Sequence, residues 1–175
     1  MDHDRYDDAY IREVLSLCKV IAMVGASATP SRPSYFAMKY LIGKGYDVVP
    51  VNPALAGGQI QGRRVLASLA EVPTPIDMVD IFRNSEAALE VTREAIAHRA
   101  KVVWMQLGVR NEEAARLAEA AGIKVVMNRC PKIEYGRLSG EIGWAGVNAG
   151  TLSSVRPQLG AKGVQNHVLG QPVKR

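Results

Sequence analysis

The 175-residue sequence predicts a three-layer α/β domain in which helices cover both faces of a five-stranded, mainly parallel sheet. Two patterns support this fold class. Short, uninterrupted apolar runs, typical of strands buried on both faces of a parallel sheet, alternate with stretches of helical periodicity. Strands and helices alternating at this spacing imply βαβ crossovers, and the chain length suits one domain with one core.

The first half of the chain contains two predicted helices and two predicted strands. Residues 5–18 predict an amphipathic helix, because their apolar side chains recur on one face at helical spacing. The apolar run 19–25 closes on a glycine and predicts the first strand. After a loop rich in proline and serine, residues 35–42 have helical composition and stop at glycines, and 47–51 predict the second strand.

The second half repeats the unit after an irregular segment. Residues 54–73 contain three glycines and a short apolar helix over 66–69, and we interpret them as the replacement for a regular crossover. The remaining predicted elements are strands over 76–82, 101–108 and 123–128 and helices over 86–99, with Asn84 or Ser85 as N-cap, and 111–121. The predicted fold is Rossmann-like.

We divide the chain into an N-terminal helix (1–18), a Rossmann-like domain (19–140) and a C-terminal extension (141–175). In the extension, glycine, proline and glutamine are scattered without any period. The extension is therefore predicted to be either an arm that lies on a partner or a loose tail. That partner would be a second copy of the chain, forming a homodimer, or another protein.

Composition narrows the class of protein. Hydrophobic residues make up 47% of the chain and charged residues 22%, which excludes a disordered or membrane-embedded protein. The first ten residues are acidic where a secretory signal would be basic, and no apolar run approaches the ~20 residues of a membrane span. Two cysteines are too few for a disulfide framework. We expect a cytoplasmic protein without a membrane partner.

The net charge of +5 does not predict a nucleic-acid site. Residues 141–175 hold four basic residues and one acidic residue, so the charge of the remaining chain is nearly balanced. Aromatic residues make up 6% of the sequence, and no basic stripe is interleaved with stacking side chains. A nucleic-acid partner is therefore not expected.

Ligands of doubly wound sheets bind outside the carboxyl ends of the strands, where the strand order reverses. The loop after the first predicted strand, GASATPSRPS, combines a glycine, several hydroxyls, the cation Arg32 and the N-terminus of the next helix. Such a loop favours phosphate, because glycine permits close backbone approach and the helix N-terminus offers free N–H groups. The alternative is an ordinary loop between a strand and a helix.

Two common nucleotide sites are disfavoured. The dinucleotide fingerprint needs GxGxxG after the first strand and an acidic residue closing the second. Here Gly25 is followed by Ala-Ser-Ala, and the second strand ends in Val51-Asn52-Pro53. No GK[ST] follows the first strand, so a Walker A loop is also missing.

Four motifs in order carry a family resemblance: IAMVGASATPSRPSYFAMKYLIGKGYDVVPVNP, VDIFRNSEAA, VWMQLGV and VVMNRCP. Over residues 14–138 the chain resembles the stand-alone bacterial CoA-binding proteins, whose single domain is similar to the CoA-binding domain of the succinyl-CoA synthetase α subunit. The resemblance implies coenzyme A, or an acyl-CoA, as cofactor.

The resemblance also implies positions for the ligand. The phosphates of CoA would be held by Gly25, Ala26, Ser27, Ser31 and Arg32. The adenosine part would lie near Val51, Asn52 and Pro53, and the remainder would be flanked by Phe82, Arg83, Asn84, Ser85, Met105 and Gln106. Where such proteins often carry a cation after the second strand, this chain has Ala54 and Leu55. Arg32, Arg63 or Arg64 would then supply that charge.

Two side chains of the candidate site have alternative interpretations. Arg83 is either a fork for the ligand or a partner of Asp80, Glu86 or a backbone carbonyl. Cys130 is either a buried small hydrophobe or a thiol beside the thiol of CoA, with a pKa lowered by Arg129 and Lys132, that forms a mixed disulfide.

No acid–base pair or nucleophile triad can be assembled from the sequence, so catalysis is not predicted and no metal site is expected. Three classes of function stay open. The first is a CoA-binding protein without turnover. The second is a subunit or relic of an acyl-CoA or nucleotide-dependent transferase or ligase. The third is an NAD(P)-type nucleotide-binding or scaffold protein.

Overall fold

The computed structural model describes residues 1–141 and confirms the predicted α/β fold. Five parallel strands form one sheet in the order β2-β1-β3-β4-β5. Their bounds are β1 Val20–Val24, β2 Asp47–Val51, β3 Met78–Ile81, β4 Val102–Met105 and β5 Lys124–Val126. The strand order reverses between β1 and β3, which places the topological switch point there.

Five helices cover the sheet: α1 Asp8–Leu17, α2 Pro33–Gly43, α3 Ala88–Ala97, α4 Glu112–Ala120 and α5 Pro131–Leu138. Buried side chains of α1, α2 and α5 pack with one face of the sheet, and those of α3 and α4 pack with the other. Along β4, Trp104 faces the first layer and Met105 the second, as alternation requires. None of the helices between residues 1 and 141 has the length and apolar character of a membrane span.

The segment between β2 and β3 differs from the prediction. The predicted helix over 66–69 is replaced by a 3-10 turn over Leu69–Glu71, because Leu66 pairs with the edge of β2. The Leu66 N–H donates to the Pro50 carbonyl at 3.0 Å, and the Leu66 carbonyl accepts from the Asn52 N–H at 2.9 Å. A short antiparallel hairpin precedes it, formed by Gln59–Ile60 and Arg63–Arg64. Backbone hydrogen bonds to an open strand edge outweigh the local helical composition.

At the opposite side of the sheet, the N-terminal segment lies against β5. The Tyr10 hydroxyl donates to the Val125 carbonyl at 3.1 Å, and the Met127 N–H donates to the Tyr6 hydroxyl at 2.8 Å. The two tyrosine rings stack with their centroids 5.9 Å apart. Apart from Glu141, the predicted C-terminal extension lies outside the described residues.

Candidate functional site

Two neighbouring cavities lie at the carboxyl ends of the strands, beside the switch point. The first, which we call the cradle, has a volume of about 350 Å³, and the second, the apolar cavity, about 490 Å³. Pro33 and Phe82 line both, so the cavities are contiguous. The cradle is lined by Gly25, Ser27, Arg32, Pro33, Ser34 and Phe82. The apolar cavity is lined by Pro33, Phe36, Ala37, Phe82, Arg83, Gln106, Leu107, Val109, Cys130, Lys132 and Ile133.

Hydroxyl groups shape the loop of the cradle. The buried Ser34 hydroxyl accepts from the Ser27 N–H at 3.1 Å, and the Ser27 hydroxyl accepts from the Thr29 N–H at 3.2 Å. Pro33 occupies the first turn of α2, where a missing N–H is harmless. The loop is thereby held against the N-terminus of an 11-residue helix, whose positive end favours an anion.

Gly25 is required by the fold itself. Its φ is +87°, and a β-carbon built there would lie 2.8 Å from the Phe82 carbonyl oxygen. Its N–H also donates to the Val51 carbonyl at 2.9 Å. The space that a side chain would need is occupied by the loop after β3. Glycine at this position therefore allows the loops after β1 and β3 to pack closely against each other.

The Gly25→Ala variant is expected to lose about 1–3 kcal/mol of unfolding free energy, because the β-carbon meets both an unfavourable φ and a backbone oxygen. Urea unfolding measures this loss. Gly57→Ala is the matched control, since Gly57 has a φ of +84° but open space around its β-carbon position. Equal losses in the two variants would show that contact with Phe82 contributes nothing.

The end of β2 is tied to the cradle by Asn52. Its side-chain amide donates to the Ala26 carbonyl at 2.8 Å, and its Oδ1 accepts from the Ala54 N–H at 3.0 Å. The amide N–H therefore connects the loop after β2 to the loop after β1, and Oδ1 caps the turn that follows Asn52 in its own loop. Arg63 forms an ion pair with Asp47 at the other end of β2, which leaves Arg32 and Arg64 as the candidates for the charge that the sequence lacks at Ala54 and Leu55.

Two cations at the cavities are exposed, and neither has a side-chain partner among the described residues. Neither Arg32 nor Arg83 forms a side-chain hydrogen bond or ion pair with any residue between 1 and 141, so the alternative partners considered for Arg83 are not found there. Arg32 lines the cradle, and Arg83 lines the apolar cavity. Both guanidinium groups are free to contact a bound anion.

The structure brings together only part of the predicted set. Met105 is fully buried among core residues on the face of α3 and α4. Asn84 is exposed, and its Oδ1 accepts from the Ala87 N–H at 3.0 Å, ahead of α3. The predicted residues that line neither cavity are Ala26, Ser31, Val51, Asn52, Pro53, Asn84, Ser85 and Met105. Those that line a cavity are Gly25, Ser27, Arg32, Phe82, Arg83, Gln106 and Cys130.

Beneath the apolar cavity lies the carboxyl group of Asp80, which was considered from the sequence only as a partner of Arg83. Asp80 is fully buried in β3, its Oδ1 accepts from Gln106 Nε2 at 2.8 Å, and its Oδ2 has no hydrogen-bond partner among the described residues. Burial raises the pKa of Asp80 to about 7, although the bond from Gln106 opposes the shift. Gln106 thus connects this carboxyl group to the cavity wall.

Cys130 lies at the N-cap of α5 and is half-buried in the wall of the apolar cavity. Burial raises the pKa of its thiol, and the nearby charge of Asp80 adds to the shift, while N–H groups of Ile133 and Lys132 oppose it. Of the two interpretations of Cys130, the thiol with a lowered pKa is therefore disfavoured, and the half-buried side chain is closer to the other. Desolvation outweighs Lys132, and Arg129 is turned into the protein.

Arg129 is 5% exposed, and protein groups occupy its guanidinium. It donates to the carbonyls of Asn128 at 2.9 Å and Asp4 at 3.1 Å, and it lies 3.9 Å from the Glu134 carboxylate. The guanidinium carbon of Arg129 also lies 5.4 Å from the centre of the Tyr6 ring. This cation anchors the N-terminal segment.

The structure is that of a Rossmann-like α/β domain with two neighbouring cavities at the switch point of a parallel sheet, where domains of this class bind their ligands. Residues 19–136 match the family described as "CoA binding domain", and the chain belongs to this family. The resemblance inferred from the sequence is thereby confirmed.

Relatives of the chain include single-domain proteins and a larger ligase. The chain is 38% identical over 127 residues to the uncharacterized protein YneT of Bacillus subtilis, covering 73% of this chain and 93% of YneT. It is 37% identical over 97 residues to the alpha subunit of an ADP-forming acetate–CoA ligase I of Pyrococcus furiosus, covering 52% of this chain but 21% of that subunit. A solved structure of a hypothetical protein from Pyrococcus horikoshii OT3 superposes with a TM-score of 0.74 at 42% identity, covering 78% of this chain and 95% of that one.

Proposed function

We propose that this protein binds coenzyme A at the carboxyl ends of the strands and does not turn it over. The observation that carries the proposal is the contiguity of two unlike cavities in a chain of this family. CoA is likewise two-ended, with phosphates at one end and an uncharged pantetheine arm ending in a thiol at the other.

The phosphates of CoA would occupy the cradle. Gly25, Ser27 and Arg32 line it, and the N-terminus of α2 offers its positive end there. Ala26 and Ser31 belong to the same loop. Arg32 is exposed and unpaired among residues 1–141, so its guanidinium would pair with a phosphate without breaking an existing ion pair.

The two other parts of CoA would extend to either side. The adenosine part would lie toward the end of β2, at Val51, Asn52 and Pro53, and the pantetheine arm would run past Phe82 into the apolar cavity. There Arg83, Gln106 and Cys130 form part of the wall. Both cysteines are free thiols in the structure, which suits a cytoplasmic protein.

Isothermal titration calorimetry with free CoA tests the proposal. We expect micromolar affinity or better, about −8 kcal/mol or more favourable, because a helix terminus and a cation meet the phosphates. NAD and ADP serve as competing nucleotides. If CoA gives neither heat nor a thermal shift at millimolar concentration while NAD binds, the proposed function is wrong.

The Arg32→Ala variant is expected to bind CoA roughly tenfold more weakly than the unmodified protein, with a smaller dependence of affinity on salt, because a charge-assisted contact to phosphate is lost. Calorimetry at two ionic strengths measures both changes. Arg12→Ala on the exposed face of α1 is the control and should change neither. Unchanged affinity in Arg32→Ala would place the phosphates elsewhere.

A second candidate function follows from the similarity to the ligase subunit. The chain corresponds to about a fifth of that subunit, so it would act as one component of an acyl-CoA-forming enzyme with a partner protein. Incubation with acetate, ATP and CoA, of the purified protein alone and together with candidate partner subunits, discriminates the two candidates. We expect no acetyl-CoA, and its formation would establish an enzyme.

A further inference from the structure

The wall of the apolar cavity is made largely of carbon atoms that face solvent. Phe36 on α2 is 50% exposed and Leu107 after β4 is 43% exposed, although both side chains are large and hydrophobic. Val109 and Ile133 add further apolar surface. Apolar side chains gathered around one depression mark a surface that is covered when a ligand binds.

The position of this cavity indicates which part of a ligand covers it. Because the cradle and the apolar cavity share Pro33 and Phe82, a molecule held by its phosphates in the cradle reaches the apolar cavity with its opposite end. In CoA that end is the thiol, to which acyl groups are attached. This step rests on the proposed function.

The charged and amide groups of the cavity wall belong to Arg83, Gln106 and Lys132, and Arg83 stays available for an anionic group of CoA. The Gln106 amide already donates to Asp80 at 2.8 Å. The Lys132 ammonium lies 5.8 Å from the centre of the Phe36 ring and 5.9 Å from that of Tyr40. The Lys132 cation thus lies against aromatic rings, and most of the other lining side chains are apolar.

We propose that the protein prefers acyl-CoA thioesters with an apolar, unbranched acyl group over free CoA, and that the acyl group occupies the apolar cavity between Phe36 and Leu107. Each methylene buried there raises the affinity, since transfer of a CH₂ group from water to an apolar site is favourable. The cavity thereby determines the class of ligand.

Calorimetric titrations with CoA, acetyl-CoA, butyryl-CoA and hexanoyl-CoA test the proposal. At pH 6.5 the raised pKa of Cys130 keeps its thiol protonated, so thioester exchange does not interfere. We expect affinity to rise about threefold per added methylene, and at least tenfold from CoA to hexanoyl-CoA. Succinyl-CoA, with the same chain length as butyryl-CoA but a terminal carboxylate, should bind more weakly than butyryl-CoA.

Two matched variants locate the effect. Leu107→Asn should remove most of the gain between CoA and hexanoyl-CoA, whereas Leu117→Asn, at a leucine of similar exposure on α4, should leave it unchanged. A flat series with tight CoA binding, an equal loss in both variants, or tighter binding of succinyl-CoA than butyryl-CoA would overturn the preference while leaving the proposed function intact. Failure of CoA itself to bind would overturn both.

Discussion

We expect the Asp80→Asn variant to have a higher free energy of unfolding than the unmodified protein at pH 8, by an amount on the order of 4 kcal/mol, and a similar value at pH 4. Burial raises the pKa of Asp80 from 3.8 to about 7. Between these two values the unfolded chain releases a proton that the folded protein retains. The stability of the unmodified protein therefore falls as pH rises from about 4 to about 7, and asparagine removes this loss.

Urea unfolding of both proteins at pH 4, 6 and 8 measures the difference. Asparagine keeps a hydrogen-bonding partner for Gln106, so the native contact survives the substitution. Lower stability of Asp80→Asn at pH 8 would mean that the buried carboxylate is stabilised by an interaction other than that with Gln106.

Asp77, just before β3, provides the opposite case. Burial favours its neutral form, but hydrogen bonds from Lys101, Val20 and Lys19 outweigh burial and lower its pKa. Its contribution to stability is present above the unfolded pKa of 3.8 and is lost as pH falls further. Asp77→Asn is therefore expected to destabilise the protein at pH 8, whereas Asp80→Asn stabilises it.

Incubation with the disulfide of CoA is expected to add one CoA-sized, reductant-sensitive mass to the protein, and Cys130→Ser should abolish it completely. The Cys130 thiolate would attack one sulfur of the CoA disulfide, forming a mixed disulfide and releasing CoA as its thiolate. The prediction is based on position, because Cys130 lines the cavity proposed for the pantetheine arm. Intact-protein mass spectrometry measures the adduct.

The pH dependence of this reaction follows from the thiol's surroundings. Since burial raises the pKa of Cys130, adduct formation should be slow at pH 7 and accelerate into the alkaline range. Cys18→Ser should leave the adduct unchanged, because Cys18 is 4% exposed and burial raises its pKa to about 12. No adduct at pH 10, or an adduct that persists in Cys130→Ser, would show that Cys130 does not reach the ligand.

The parallel sheet was predictable because its strands are apolar runs whose period differs from that of the flanking helices. Helix α5 was not predicted, since Glu134, Tyr135 and Gly136 are buried in succession and present no single apolar face. Pro131 after the fifth strand was the available signal, because proline favours the first turn of a helix. The predicted helix over 66–69 was wrong because Leu66 pairs with the edge of β2. The position of that edge depends on distant parts of the chain and cannot be predicted from the sequence around Leu66.

The position of the candidate site could be predicted from the topology, but the role of each side chain could not. The carboxyl ends of the strands were identified from the alternation of elements, and both cavities lie there. Which side chains point into a cavity depends on tertiary packing. Met105 packs in the core, and the amide group of Asn52 forms hydrogen bonds with the backbone of two loops. Asp80 sits in an apolar run, where its unpartnered oxygen is visible only once the neighbouring strands and α5 are in place.

The stacked tyrosines of the N-terminal segment and the backbone of Leu66 occupy backbone groups at the two edge strands of the sheet. Tyr6 and Tyr10 occupy backbone groups next to and within β5, and Leu66 occupies those of β2. Backbone groups that are occupied in this way are not available to a strand from another molecule, which disfavours strand addition at these positions. A protein partner would therefore dock on a helical layer or over the loops at the mouth of the cavities.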